Sequence, residues 1–209
     1  MKIILYITIV IVLISCNQQQ NQFSHKNKFN DHNCNINIII QPFSDFPSKE
    51  IINIEKEIKK YYPRVSINKP IDLPKNCLNK PKTRYRADSL IKFLNHNTNN
   101  GCVTIGLTTK DISTTKEKIL DWGIFGLGSC PGKSCVASTF RIKGKNKFEK
   151  FEKLVKVAVH ELGHTQGLKH CAVDACLMRD AKGKDHLNEE KEFCINCKNV
   201  LIKKGWKLI

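Results

Sequence analysis

Residues 147–170 read KFEKFEKLVKVAVHELGHTQGLKH, and the rest of the chain is interpreted outward from this stretch. Its apolar residues recur at the three- and four-residue spacing of an amphipathic helix, which predicts one helix over about residues 147–166. The predicted buried stripe of this helix consists of Phe148, Phe151, Leu154, Val155, Ala158 and Leu162. The polar residues near its C-terminal end carry the functional interpretation.

Two histidines, His160 and His164, lie four residues apart and therefore on one face of the predicted helix. Zn²⁺ accepts histidine nitrogens at about 2.0–2.1 Å, and a catalytic zinc needs three protein ligands with a fourth position left for water. Gly167 can take the left-handed conformation that ends a helix, so that the chain turns back and brings His170 to the same ion. The pattern predicts a catalytic zinc bound by these three histidines.

Glu161 directly follows the first of these histidines and is not needed as a ligand. It is suited to act as a general base, taking a proton from a metal-activated water during attack on a peptide carbonyl. The whole motif, His-Glu-x-x-His-x-x-Gly-x-x-His, arises by chance on the order of once per 100,000 such chains. The sequence therefore predicts a zinc-dependent metallopeptidase. The alternative is a catalytically silent, surface-anchored binding protein with structural metals.

Four cysteines follow the motif in two pairs, Cys171 with Cys176 and Cys194 with Cys197. Four thiolates arranged in this way can enclose a second, structural zinc, which would clamp the chain after His170 to a predicted final helix. Two disulfides are the alternative, because disulfides persist in oxidising compartments. The spacing favours zinc.

Of the 10 cysteines, five remain when these two pairs and Cys16, near the N-terminus, are set aside. Because five is an odd number, at least one should lack a partner within the chain. Cys130 and Cys135 are close enough in sequence to form a bridge, and Cys77 could pair with Cys102 or Cys34.

Upstream of the long helix, predicted strands and helices alternate. This order predicts an α/β (α+β) fold, with a mixed, twisted sheet of about five strands packed on helices. The predicted strands are residues 36–40, 64–68, 102–108, 122–127 and 135–142, and the predicted helices are residues 48–61 and 85–94.

The motif and the cysteines together resemble the archaemetzincins, a family of metzincin zinc metallopeptidases. The family pattern His-Glu-x-x-His-x-x-Gly-x-x-His-Cys continues with Cys-x-Met and Cys-x-x-Cys, here residues 160–171, 176–178 and 194–197. The resemblance implies that Met178 forms the Met-turn beneath the three histidines. It also implies that the four cysteines hold zinc, giving two ions per chain, one catalytic and one structural. In a metzincin-type sheet, the strand around residues 122–127 is the expected edge that pairs with an extended substrate.

The N-terminus has a separate purpose. Lys2 is followed by an apolar run over residues 3–14 and then by Ser15 and Cys16. A membrane-spanning helix needs about 20 apolar residues, so this shorter run predicts a cleavable export signal. Leu13-Ile14-Ser15-Cys16 resembles the lipobox of bacterial lipoproteins, which implies that Cys16 is lipidated. An ordinary signal peptide or an uncleaved anchor is the alternative.

The predicted organisation is a lipoprotein-type signal peptide over residues 1–15, a lipidated polar tether over residues 16–33 and one catalytic domain over residues 34–209. Within that domain, about residues 171–209 would form a C-terminal zinc-binding subdomain. We expect the protein to be exported and anchored by its lipid to the periplasmic or cell-surface side of a bacterial membrane. We expect it to act as a monomer on a peptide or protein substrate.

The formal net charge of +16 raises the question of nucleic-acid binding. The lysines are scattered along the whole chain, however, and no basic stripe with interleaved aromatic residues occurs in the sequence. A zinc-stabilised nucleic-acid module would have to use Lys198, Lys203, Lys204 and Lys207 as its recognition surface, and an exported location argues against that role. The sequence therefore predicts that nucleic acid is not a partner.

Overall fold

The structure is a computed structural model, and it describes residues 36–208. These residues belong to one compact unit. The predicted signal peptide and tether, together with Cys16 and Cys34, lie outside the described residues. Within residues 36–208, no helix is both long enough and apolar enough to cross a bilayer.

Eight strands and four α-helices form over residues 36–208. The strands are β1 Asn37–Pro42, β2 Val65–Ile67, β3 Tyr85–Arg86, β4 Cys102–Thr108, β5 Ile112–Lys116, β6 Ile119–Ile124, β7 Gly126–Gly128 and β8 Ser134–Ser138. The helices are α1 Ser48–Tyr61, α2 Ala87–His96, α3 Lys147–Thr165 and α4 Ile195–Ile202.

Five strands form the main sheet in the order β2-β1-β4-β8-β7. The first four are parallel to one another, because helices or long connections carry the chain back between them. Strand β7 pairs antiparallel with β8 and forms one edge of this sheet. The prediction of a mixed sheet of about five strands packed on helices is confirmed.

A second sheet of three strands, in the order β3-β5-β6, was not predicted. Residues 122–127, predicted as one strand, are divided between β6 in this sheet and β7 in the main sheet. The division occurs because Ile124 pairs with Ile112, whereas the carbonyl of the next residue, Phe125, accepts a hydrogen bond from the Ser138 backbone N–H at 2.8 Å. The prediction of a single strand was therefore wrong.

The main sheet is covered on both faces, as the alternating side chains of β8 indicate. Cys135 and Ala137 belong to the hydrophobic cluster that contains α1 and α3, whereas Val136 belongs to the cluster that contains α2. In α1, Ile54 and Ile58 are fully buried. This three-layer arrangement holds α3, with its histidines, against the main sheet.

Capping interactions define where α3 begins and ends. The Asn146 side chain accepts a hydrogen bond from the Glu149 backbone N–H at 2.9 Å, which satisfies a free donor of the first turn. At the other end, Gly167 has a φ of +90°, and the Leu168 N–H reaches back to the Gly163 carbonyl at 3.1 Å. This left-handed cap is the predicted role of Gly167.

Two lysines of α3 bind groups in the segments before and after this helix. The Lys153 side chain is buried, and its ammonium donates to the Lys143 carbonyl at 2.8 Å and contacts the Asp185 carboxylate at 3.3 Å. The Lys156 ammonium donates to the Leu187 and Glu190 carbonyls at 2.6 and 2.7 Å. These bonds replace water around the buried ends of the two side chains.

The predicted buried stripe of α3 is wrong at its first position. Phe148 is 69% exposed, because no element covers that side of the first turn. Leu154, Val155, Ala158 and Leu162 are buried as predicted.

Candidate metal centre and active site

Helix α3 and the turn after it bring three imidazoles together. One nitrogen from each of His160, His164 and His170 lies within 4.8 Å of the corresponding nitrogen of the other two. His160 and His164 are half-buried, whereas the His170 side chain is 49% exposed. The three rings therefore form a cluster that is closed by protein on one side and open to solvent on the other.

Backbone carbonyls orient the two helical histidines. The Nδ1 atom of His160 lies 2.6 Å from the Leu177 carbonyl oxygen, and that of His164 lies 2.7 Å from the Leu168 carbonyl oxygen. A carbonyl oxygen can only accept, so each Nδ1 carries the proton and each Nε2 keeps its lone pair. Both Nε2 atoms are therefore available to a metal.

Burial makes both imidazoles poor bases. Burial, with a smaller effect of the neighbouring His164, lowers the pKa of His160 to about 3. Burial also lowers the pKa of His164. Both rings are neutral at neutral pH, and the neutral form is the one that binds metal.

The three histidines fit the donor set of a catalytic zinc ion. Nitrogen ligands at about 2.0–2.1 Å from a tetrahedral ion lie about 3.3 Å from one another, a separation compatible with the cluster. Three imidazoles with an open side leave a position for water or substrate.

The Glu161 side chain is buried and lies between its own helix, α3, and the edge of the main sheet. A Cβ atom at Gly126 would lie 2.6 Å from its Oε1 atom, and one at Gly128 would lie 2.6 Å from its backbone oxygen. Strand β7 can approach Glu161 this closely because both positions are glycine. Desolvation by burial raises the pKa of the Glu161 carboxyl to about 8. A dication held by the three histidines would act in the opposite direction, because positive charge favours the carboxylate.

The cysteines outside the two C-terminal pairs are free thiols in the described part of the chain. Cys135 is fully buried on β8, and desolvation, with a smaller effect of the Glu161 charge, raises its pKa. Cys130 is exposed, and its thiol donates to the Leu168 carbonyl at 3.2 Å. Cys77 and Cys102 are also free. The suggested bridges between Cys130 and Cys135 and between Cys77 and Cys102 are therefore absent from this structure.

Met178 is fully buried against α3, beside the histidines. A Cβ atom at Gly163, which lies between the two helical histidines, would be 2.6 Å from the Met178 sulfur. The Met178 carbonyl accepts a hydrogen bond from the Cys171 N–H at 2.8 Å, which ties this turn to the segment after His170. The methionine therefore lies against the part of α3 between the two helical histidines.

The four C-terminal cysteines converge in a second cluster, in which the Sγ atoms lie within 4.8 Å of one another. Cys171 Sγ is 3.6 Å from Cys194 Sγ, and Cys176 Sγ is 3.8 Å from Cys197 Sγ. Sulfur ligands at about 2.3 Å from a tetrahedral zinc lie about 3.8 Å apart. A disulfide needs about 2.05 Å. The spacing therefore fits a metal and exceeds a covalent bond.

Backbone donors also point at this cluster. The N–H groups of Met178 and Cys194 lie 3.4 and 3.3 Å from Cys176 Sγ. Such donors stabilise a thiolate, which is the form that ligates zinc.

Sequence reasoning missed two kinds of residue around the histidines. Gly126, Gly128 and Gly163 act through the absence of a side chain. For the two glycines of β7, the available signal was the Gly-x-Gly spacing inside a strand, which indicates close approach of another segment. Asp180 is the other. Its Oδ2 atom lies 3.9 Å from His170 Nδ1, and its pKa is lowered mainly by a hydrogen bond from the Lys182 backbone N–H.

A cluster of three imidazoles beside a buried glutamate, built on a helix that packs against a mixed sheet, defines the class of zinc metallopeptidases. The Peptidase family M54 model matches residues 18–204, and the chain belongs to this family. The resemblance to archaemetzincins is thereby confirmed, and the protein is a zinc metallopeptidase.

Individual relatives agree with this assignment. The chain is 28% identical to the archaemetzincin of Methanopyrus kandleri, over 76% of this chain and 91% of the relative. It is 30% identical to that of Haloarcula marismortui, over 66% of this chain and 83% of the relative.

Solved structures are also similar. The archaemetzincin of Archaeoglobus fulgidus complexed with malonate superposes with a TM-score of 0.68, at 28% identity over 79% of this chain and 99% of that one. The archaemetzincin of Methanopyrus kandleri gives a TM-score of 0.70, at 25% identity over 83% and 97% of the two chains.

Replacing Gly163 with Ala tests the contact between α3 and Met178. Alanine normally favours a helix by about 1 kcal/mol over glycine, but here the new methyl group collides with the Met178 sulfur. We expect the free energy of unfolding, measured with denaturant, to fall by about 1–3 kcal/mol. In a Met178→Ala background the same change should cost less; a stabilising effect of Gly163→Ala in the native background would contradict the contact.

Proposed function

We propose that the protein hydrolyses peptide bonds with a zinc ion held by His160, His164 and His170 and with Glu161 as the general base. The observation that carries this proposal is the convergence of the three imidazoles beside a buried carboxyl group. A zinc ion bound there would polarise a carbonyl and lower the pKa of water.

The residues of the chain have separate tasks in this mechanism. The Leu177 and Leu168 carbonyls hold the rings of His160 and His164 through their Nδ1 atoms, which leaves the Nε2 atoms free for the metal. Glu161 accepts the proton of the attacking water and then passes it to the leaving amine. Its burial beneath β7 keeps bulk water from competing for that proton.

We also propose that the substrate binds in an extended conformation along β7. This strand is the edge of the main sheet and pairs with β8 on one side, which leaves backbone donors and acceptors on the other side for a peptide. Gly126 and Gly128 bring that backbone next to Glu161. A peptide paired with β7 would therefore pass the base and the histidines.

The second cluster supports a structural zinc bound by Cys171, Cys176, Cys194 and Cys197. Four sulfur ligands close a tetrahedral ion completely, so this site would leave no position for water. Cys171 directly follows His170, and the metal would thus fix the chain immediately after the third histidine.

The N-terminal sequence supports a further proposal, namely that the mature protein is attached to a membrane by a lipid on Cys16. The motif Leu13-Ile14-Ser15-Cys16 and the apolar run before it carry this proposal.

Replacing Glu161 with Gln tests the mechanism. We expect peptide hydrolysis by the full chain, followed with a mixture of quenched fluorescent peptides, to fall by about 10²- to 10⁴-fold, because the amide cannot accept the proton. Zinc content should stay at the native value, whereas His164→Ala should lose the catalytic zinc. Native activity in Glu161→Gln would contradict the mechanism. Native protein that binds a peptide but never cleaves it would favour the silent binding protein.

Elemental analysis of the full chain tests the second metal. We expect two zinc ions in the native protein, one in His164→Ala, and one in a Cys194→Ser, Cys197→Ser double variant, since serine is a poor zinc ligand. Cys102→Ser, outside the cluster, should keep both ions. One zinc in the native protein, together with two disulfides in its peptide map, would overturn the proposal.

Replacing Cys16 with Ser tests membrane attachment. In a bacterial host, we expect the native chain to remain with the membrane fraction and to carry a lipid mass on its N-terminal peptide. The variant should lack this added mass, because serine provides no thiol for the lipid. Native protein recovered without added lipid mass would contradict lipidation.

A further inference from the structure

The three histidines of the metal centre are not held equally. His160 and His164 lie on α3, and each is oriented by a hydrogen bond to a backbone carbonyl. His170 lies beyond the helix, on an exposed turn. A histidine that binds zinc almost always donates its other ring N–H to an acceptor, which fixes the tautomer and the ring orientation. The ring of His170 therefore needs an acceptor of its own.

The acceptor in reach of His170 is a carboxylate. Asp180 Oδ2 lies 3.9 Å from His170 Nδ1, and both side chains are partly exposed. This separation is longer than a direct hydrogen bond, and a small rotation of the imidazole or one bridging water molecule would complete the contact.

Backbone contacts hold Asp180 next to His170. Cys171 forms a parallel bridge with Arg179, and this bridge sets the segment that carries the histidine beside the segment that carries the carboxylate. The Asp180 Oδ1 atom accepts a hydrogen bond from the Lys182 N–H at 2.9 Å. One carboxylate oxygen is thus used by the turn, and the other faces the imidazole.

The turn that contains Asp180 packs against the second sheet. A Cβ atom at Gly183 would lie 2.8 Å from the Trp122 ring of β6. The Lys116 ammonium lies 5.0 Å from the centroid of the same ring. Its positive charge helps to lower the pKa of Asp180. The carboxylate is therefore supported from a second direction.

We infer that Asp180 is a positioning residue, which accepts the Nδ1–H of His170 and presents the Nε2 atom of that ring to the catalytic metal. This inference rests on the proposed function, because it assigns a role around the same ion. Asp180 itself touches neither metal nor substrate in this role. Its contribution is to metal affinity and to the orientation of one ligand.

Asp180→Asn isolates this role, because asparagine keeps the oxygen that accepts from Lys182 and replaces the charged oxygen that faces His170. We expect affinity for the catalytic zinc, measured on the full chain by competition with a chelating dye, to fall by about 10- to 100-fold. Asp174→Asn removes the same charge from the same segment, at a side chain that is 83% exposed and paired with Arg179. Its affinity should stay within about threefold of the native value.

Cobalt substitution and a rescue variant separate positioning from general stability. In Asp180→Asn, the visible bands of Co²⁺ at the histidine site should shift, whereas the thiolate-to-cobalt bands of the cysteine cluster should not. Asp180→Glu, which restores a carboxylate, should recover most of the affinity. If Asp180→Asn instead keeps native zinc affinity and native cobalt bands, the inference is wrong while the proposed function stands. If His164→Ala instead binds as many zinc ions as the native protein, the proposed function itself is wrong.

Discussion

The close approach of two chain segments to helix α3 is the constraint on which the whole site depends. Strand β7 reaches Glu161 from one side because Gly126 and Gly128 carry no side chain. From another side, the Met178 sulfur occupies the space that a side chain at Gly163 would need. Since protein interiors are closely packed, these contacts fix the positions of Glu161 and of the two helical histidines. The packing of the protein thus sets the geometry of the site.

The same helix also controls segments that lie far along the chain. The Lys153 ammonium binds the Lys143 carbonyl and the Asp185 carboxylate. The Lys156 ammonium binds the Leu187 and Glu190 carbonyls. The segment after the histidine motif, which these lysines hold against α3, also supplies the Leu177 carbonyl that orients His160. One helix therefore carries His160, Glu161 and His164, and it anchors the chain whose Leu177 carbonyl orients His160.

The predictable parts of the structure are those that depend on local spacing. The four-residue interval between His160 and His164, the glycine turn, the long helix and the parallel strands all follow from short-range patterns. The second sheet does not. Strand β3 has only two residues and β5 is mostly polar, and Arg84 and Arg141 meet at Asp111 from 27 and 30 positions away. The Asp180 contact with His170 and the exposure of Phe148 likewise depend on tertiary neighbours.

The two glycines of β7 limit what the zinc-binding motif can say about activity. A single methyl group at position 126 would meet the Glu161 carboxylate while leaving all three histidines and the glutamate in the sequence. An enzyme of this architecture could therefore evolve into a metal-bearing scaffold through one substitution outside the motif. A classification of family members by their histidines alone would then group active enzymes with pseudoenzymes. The residue at position 126, on the edge strand, would distinguish the two groups.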